Sequence, residues 1–153
     1  GYTAPVDYAA IRAIKQTVTL PVIANGDIDG PEKARWVLDR TGADAVMIGR
    51  AAQGQPWIFR KIAHYLATGQ RLPSPTPADI GRWILEHLKS LHTFYGETAG
   101  VRIARKHLAW YSRGWAEGAA FRARINSVEH AREQLNLTCD FLGRLVNEEY
   151  LAA

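Results

Sequence analysis

The sequence predicts an α/β architecture followed by an all-α one: the last β/α units of a TIM (β/α)8 barrel, then a carboxy-terminal helical bundle. Three observations carry this. Residues 6–69 alternate short apolar runs with amphipathic segments, the rhythm of parallel strands joined by helices. Arg71-Leu72-Pro73-Ser74-Pro75-Thr76-Pro77 then sets three prolines in alternation, which forbids regular helix. Beyond that stretch the apolar residues recur only at helical spacing. The domains expected are therefore residues 1–70 for the barrel part, 71–77 for a linker and 78–153 for the bundle. A complete barrel needs roughly 250 residues, so the first part reads as the closing units of one.

Val6 to Gln16 has Tyr8, Ile11 and Ile14 on one side and reads as a short amphipathic helix. Leu20-Pro21-Val22-Ile23-Ala24 is an unbroken apolar run, the pattern of a strand buried on both faces. It ends at the turn signal Asn25-Gly26-Asp27. A helix follows, announced by Asp29 and Pro31 and closed by Gly42. Ala45-Val46-Met47-Ile48 reads as a second buried strand ending at Gly49-Arg50, and Trp57 to Leu66 as a helix stopped by Gly69. After the linker, with Thr76 as a candidate cap, Ile80, Trp83, Ile84, Leu88, Leu91 and Tyr95 form one stripe up to Gly96. A further helix is expected from about Ala99 to Arg113. A last one spans roughly Ser127 to Glu149, with Val128, Ala131, Leu135, Cys139, Leu142 and Val146 aligned.

Nearly half of the 153 residues are apolar and 22% are charged, the balance of a globular protein. No run of eighteen apolar residues is present, so no membrane span is expected. The opening Gly1-Tyr2-Thr3-Ala4-Pro5 lacks the pattern of a secretory signal, and the single Met is Met47, which reads as a chain cut from something longer. One cysteine excludes an internal disulfide and a multi-cysteine metal cage and suits a reducing cytoplasm. The five histidines form no metal spacing, and no metal is expected. No glycine-rich dinucleotide fingerprint, nucleophile elbow or carboxylate pair stands out.

Asn25-Gly26-Asp27 and Gly49-Arg50 each close a parallel strand, the face on which barrels build their sites. Glycine lets a backbone N–H approach an anion, and Arg50 adds a forked cation matched to phosphate. Gly49-Arg50-Ala51-Ala52 opens a short helix whose first amides point the same way. Two such loops one β/α unit apart read as a phosphate site. The alternative is that the glycines only make tight turns and Arg50 is a surface charge.

The formal charge is +4, yet residues 102–132 hold seven Lys or Arg against Glu117 and Glu129. On a helical wheel Arg102, Arg105, Lys106 and Arg113 fall within roughly 100°, opposite Ile103, Ala104, Leu108 and Tyr111. Such a face neutralises nucleic-acid phosphates, and Trp110, Tyr111 and Trp115 are conceivable stacking platforms. A merely solvated face, with Trp110 and Tyr111 in the core, is the alternative.

Pro21-Val22-Ile23-Ala24-Asn25-Gly26-Asp27-Ile28, then Gly42-Ala43-Asp44-Ala45-Val46-Met47-Ile48-Gly49-Arg50-Ala51-Ala52, and Pro56-Trp57-Ile58-Phe59 closely resemble bacterial tRNA-dihydrouridine synthases of the B subgroup. The resemblance continues through Gly100-Val101-Arg102-Ile103-Ala104-Arg105-Lys106-His107 and Trp110-Tyr111 and covers essentially the whole chain. It implies an FMN-binding barrel followed by a tRNA-gripping helical domain, with NADPH reducing the flavin and the flavin reducing a uridine to 5,6-dihydrouridine. Asn25, Gly26, Asp27, Gly49 and Arg50 then contact FMN, chiefly around its phosphate, and Arg102, Arg105 and Lys106 contact tRNA. The general-acid cysteine, and the lysine and histidine near the flavin, belong to earlier strands of the family's barrel. Cys139, mid-helix with Leu135 and Leu142, reads as a core residue. The chain is thus expected to hold only part of the flavin and not to catalyse the reduction by itself. A non-catalytic RNA-binding module and a different phosphate-binding barrel, such as a dihydroorotate dehydrogenase relative, are the competing readings.

Overall fold

Asp7 starts the first helix by accepting the Ala10 N–H at 3.0 Å, satisfying one of the helix's orphan donors. This helix, α1, runs Tyr8–Thr17. The computed structural model describes the backbone of residues 4–152 and the side chains of residues 4–144. The chain divides between Pro73 and Ser74 into two units.

In the first unit α1 leads to β1 (Ile23–Asn25), α2 (Pro31–Thr41), β2 (Ala45–Met47), a 3-10 turn at Arg50–Ala52 and α3 (Ile58–Thr68). Gly42 and Gly69 end α2 and α3 with φ of 70° and 73°, the left-handed cap that glycine adopts without penalty. β1 and β2 are parallel, with Ile23 opposite Ala45, Ala24 opposite Val46 and Asn25 opposite Met47. Ala24, Ile28, Ala34, Val37, Ala43, Ile58 and Ile62 make the core, with Val46 packed against it. Burying a Val or Ile side chain contributes about 1.5–3 kcal/mol. Before β2, Asp44 accepts both the Val22 N–H and the Lys15 ammonium at 2.7 Å. The Lys15 contact first, and the Val22 amide second, hold its carboxyl below the usual carboxylate range.

The strands depart from expectation on one point. They are buried on a single face: Ala24 is 1% exposed, whereas Ile23 is 62% and Met47, on the same side in β2, 51% exposed. Successive strand residues point to opposite sides. The core helices cover the side of Ala24 and Val46, and no described residue covers the other.

The second unit opens with Thr76, whose hydroxyl accepts the Asp79 N–H at 3.1 Å while the Asp79 carboxylate accepts the Thr76 N–H at 3.4 Å, a reciprocal capping box. It heads α4, Pro77–Tyr111, interrupted at Gly96 where φ is 75° and ψ 171°. The two arms fold back on each other. His87 Nδ1 lies 3.0 Å from Tyr111 Oη, and a Cβ on Gly100 would stand 2.8 Å from the Leu91 carbonyl oxygen. Ile84 and Leu88 are buried as the stripe requires, but Tyr95, at its end, is half exposed beside Phe94.

α5 (Gly118–Ile125) is not foreseen by the apolar pattern, because arginines interleave its core residues Phe121 and Ile125. Phe121 stacks on Phe141 at 4.2 Å. α6 runs Ala131–Ala152, so Val128 is buried ahead of it and not in it. Its expected stripe is also rotated. Cys139 is exposed, correcting its reading as a core residue, and the inward face carries Gln134, Thr138, Phe141 and Leu142. Gln134 is buried because it is bonded twice: its amide NH2 donates to the Val101 carbonyl at 3.1 Å, and its Oε1 lies 2.8 Å from His92 Nε2. The Thr138 hydroxyl donates to the Gln134 carbonyl. The side chain of Val146 lies outside the described residues.

Candidate functional site

Parallel pairing sets the ends of β1 and β2 side by side, since Asn25 and Met47 are register partners. The loops that follow therefore meet. Arg50 Nη2 donates to Asp27 Oδ1 at 2.6 Å, joining the second loop to the first. Asn25, Gly26, Asp27, Gly49 and Arg50 together line an open cleft of about 1070 Å³, with Val6, Asp29 and Ala51 among its other walls. All five strand-end residues singled out in the sequence come together there.

Each loop has its own backbone requirement. Gly26 takes φ 139°, and a Cβ on it would stand 2.5 Å from Val6 Cγ1. The next residue, Asp27, takes φ 42°, a left-handed conformation that Asp tolerates better than most residues. Gly49 has open space around its absent side chain and precedes the 3-10 turn. The turn's first internal bond runs from the Ala52 N–H to the Gly49 carbonyl at 3.1 Å, so the Arg50 and Ala51 amides come before it.

Tyr8, read from the sequence only as part of the apolar side of α1, also reaches this region. Its hydroxyl donates to the Gly26 carbonyl at 2.6 Å, and its ring packs edge-on against Trp36 at 5.1 Å. Burial, then the charges of Asp27 and Asp29, raise its pKa above the usual phenol value, so it remains a donor at neutral pH. A tyrosine on the inner side of an amphipathic helix gives no signal beyond ordinary packing.

The donors suit an anion such as a phosphate: a guanidinium, glycine backbone on both loops, and the start of a tight helical turn. The Asp27 carboxylate offsets part of that charge, and Asp29 lines the same cleft. Asp27 holds Arg50 across the two loops, and both side chains are largely exposed, so the pair fixes geometry more than it adds stability.

The basic face of α4 divides in two. Arg102 and Lys106 are exposed, with the Lys106 ammonium 5.2 Å from the Trp110 ring centre. Arg105 is half-buried and donates from Nη2 to the Val128 carbonyl at 2.6 Å. Its Nε is buried with no hydrogen-bond partner among the described residues. On the wheel Arg105 is the cation nearest the buried stripe of Val101, Ala104 and Leu108, which is why it turns inward. Tyr111 is buried against His87, so it offers no stacking face. Trp115 stacks at 6.0 Å on Phe141. Among the described residues of this unit, the large exposed aromatics are instead Phe94 and Tyr95, 81% and 49% exposed at the hairpin bend. Among the described residues no group of three or more His, Cys, Asp or Glu could hold a metal ion, and no helix is long and apolar enough to cross a membrane.

A model of the dihydrouridine synthase (Dus) family matches residues 1–146. The tRNA-dihydrouridine synthase B of Xanthomonas axonopodis pv. citri is 54% identical over 145 residues, covering 95% of this chain and 44% of that protein. That of Pseudomonas putida is 56% identical over 133 residues, 87% of this chain and 40% of the relative. That of Escherichia coli K12 is 55% identical over 134 residues, 88% and 42% respectively. The chain thus spans less than half the length of these relatives.

Proposed function

Since the chain belongs to the dihydrouridine synthase family, we propose that it provides part of the FMN site and the tRNA-binding helices of a cytoplasmic tRNA-dihydrouridine synthase. FMN, when bound, carries reducing equivalents from NADPH to a uridine of tRNA, giving 5,6-dihydrouridine. This chain's residues hold the cofactor by its phosphate: Arg50 supplies the cation, Gly26 and Gly49 allow close approach of the backbone, and Asn25 and Asp27 shape the first loop. Residues 1–70 act as the barrel part and 78–153 as the tRNA-binding part, with 71–77 as the linker. Arg102 and Lys106 meet tRNA phosphates directly. Arg105 contributes its charge from a position tied to the bundle. None of the described side chains is assigned the general-acid step, and Cys139 is exposed on α6 in the other unit from the cleft.

The observation that carries this reading is the convergence of both strand-end loops on one cleft, joined by the Arg50–Asp27 pair. The test is Arg50→Ala in the full-length protein. Loss of a charge-assisted hydrogen bond, worth about 1.5–3 kcal/mol, lowers FMN affinity roughly 10- to 100-fold, read as the flavin retained per protein after gel filtration. Unchanged flavin stoichiometry would remove Arg50 from the site.

A further inference from the structure

We propose that Tyr8 is a positioning residue: it holds the Gly26 carbonyl so that the Gly26–Asp27 peptide presents its N–H, and not its oxygen, to a phosphate in the cleft. This rests on the reading of the cleft as a phosphate site.

The peptide in question lies between two residues of positive φ, 139° at Gly26 and 42° at Asp27. An ordinary strand end would not adopt this pair of angles, so something outside the loop must select the orientation. Tyr8 does so from α1, eighteen residues earlier, through a hydrogen bond of 2.6 Å to the Gly26 oxygen. In a planar trans peptide the C=O and the N–H point in opposite directions. With the oxygen turned toward Tyr8, the Asp27 N–H points away from the Tyr8 hydroxyl, at a residue that itself lines the cleft and pairs with Arg50. A reversed peptide would put a carbonyl dipole there and repel an anion.

The surroundings fit that role. The Val6 methyls occupy the volume that a Cβ on Gly26 would need, which holds the loop down within reach of the hydroxyl. The Tyr8 ring is itself held edge-on by Trp36, and the Lys33 ammonium lies 4.1 Å from the indole centre and 4.9 Å from the Tyr8 ring centre. A phenylalanine in place of Tyr8 keeps this packing and removes only the donor.

The experiment is Tyr8→Phe in the full-length protein, stripped of flavin and titrated with FMN and with riboflavin, which has the same ring system and no phosphate. FMN affinity is expected to fall about tenfold, the scale of one charge-assisted hydrogen bond, while riboflavin affinity holds. The preference for FMN over riboflavin therefore shrinks by the same factor. Equal loss of both ligands would overturn the proposal, since it would make Tyr8 a general support of the unit. No change in either would also overturn it, since the peptide would then be held without the hydroxyl. A wild-type protein that binds both flavins equally would instead sink the phosphate reading on which the proposal stands.

Discussion

Gly26 and Gly49 occupy equivalent strand ends and obey different constraints. Gly26→Ala places a methyl 2.5 Å from a valine whose rotamer is stiff, in a backbone with φ of 139°. It should destabilise the protein by about 1–3 kcal/mol, seen as a lower urea midpoint. Gly49→Ala meets nothing within 4 Å, so without a clash it should cost less stability than Gly26→Ala. Its FMN affinity should nevertheless drop, because the new methyl stands where the backbone is to approach the phosphate. If both variants lose stability alike, Gly49 is a structural glycine and not a binding one. These roles were legible in part: glycine at a strand end is a local signal, but which of the two is sterically required depends on Val6, twenty residues earlier in the chain.

The hairpin of α4 depends on the absence of a side chain at Gly100. A Cβ there would lie 2.8 Å from the Leu91 oxygen and 2.9 Å from the His92 Cα, both backbone atoms that cannot rotate aside. Gly100→Ala should therefore cost about 3 kcal/mol, the upper end of ordinary overpacking, measurable by chemical unfolding of the helical signal. The same hairpin buries His87 against Tyr111 and His107, with the His87 and His107 ring centres 4.8 Å apart. Burial lowers the pKa of His87. Burial first, then His87 and Lys106, lower that of His107. The unfolded chain therefore binds more protons than the folded one just below the ordinary histidine value of 6.5, and stability rises with pH there. This stability is complete above that pH. It is lost as pH falls from it toward the lowered folded values. A urea series between pH 7 and 5 should show the loss, and His107→Gln should flatten the slope. Tyr111, pushed by burial up to about 12, acts at the opposite limit: its contribution is present at neutral pH and is lost as pH rises above the free-phenol value. The start and the bend of α4 were legible because Thr76 and Gly96 are local start and stop signals, whereas α5 and the start of α6 were not. The inward face of α6 was not, since Gln134 and Thr138 are buried through bonds to residues that hydrophobic spacing does not count.

On the proposed tRNA-binding reading, the exposed and the committed cations should behave differently. Arg102→Ala with Lys106→Ala removes two exposed charges. It should flatten the plot of log affinity for tRNA against log salt by about 1.5, with little change in melting temperature. Arg105→Ala also removes a bond to the Val128 carbonyl, so it should lower the melting temperature as well as the affinity. Filter binding between 50 and 200 mM salt, as roughly the range in which such slopes are read, separates the two. An unaltered slope in the double variant would take this arm out of the interface.

What the sequence determined by itself is whatever local chemistry encodes. Asp7 and Thr76 cap helices, Gly42, Gly69 and Gly96 end or bend them, the proline run separates two units, and strand-end glycines with Arg50 mark the cleft. Each of these depends on neighbours within a turn or two, so spacing is enough to read it. Tertiary structure alone decided the rest: the hold of Tyr8 on Gly26, the inward bond of Arg105, the burial of Gln134 and the exposure of Cys139. A polar group is buried when a partner from a distant part of the chain arrives to satisfy it, and a hydrophobic one is exposed when no neighbour covers it. Neither condition is present in the pattern of the segment itself.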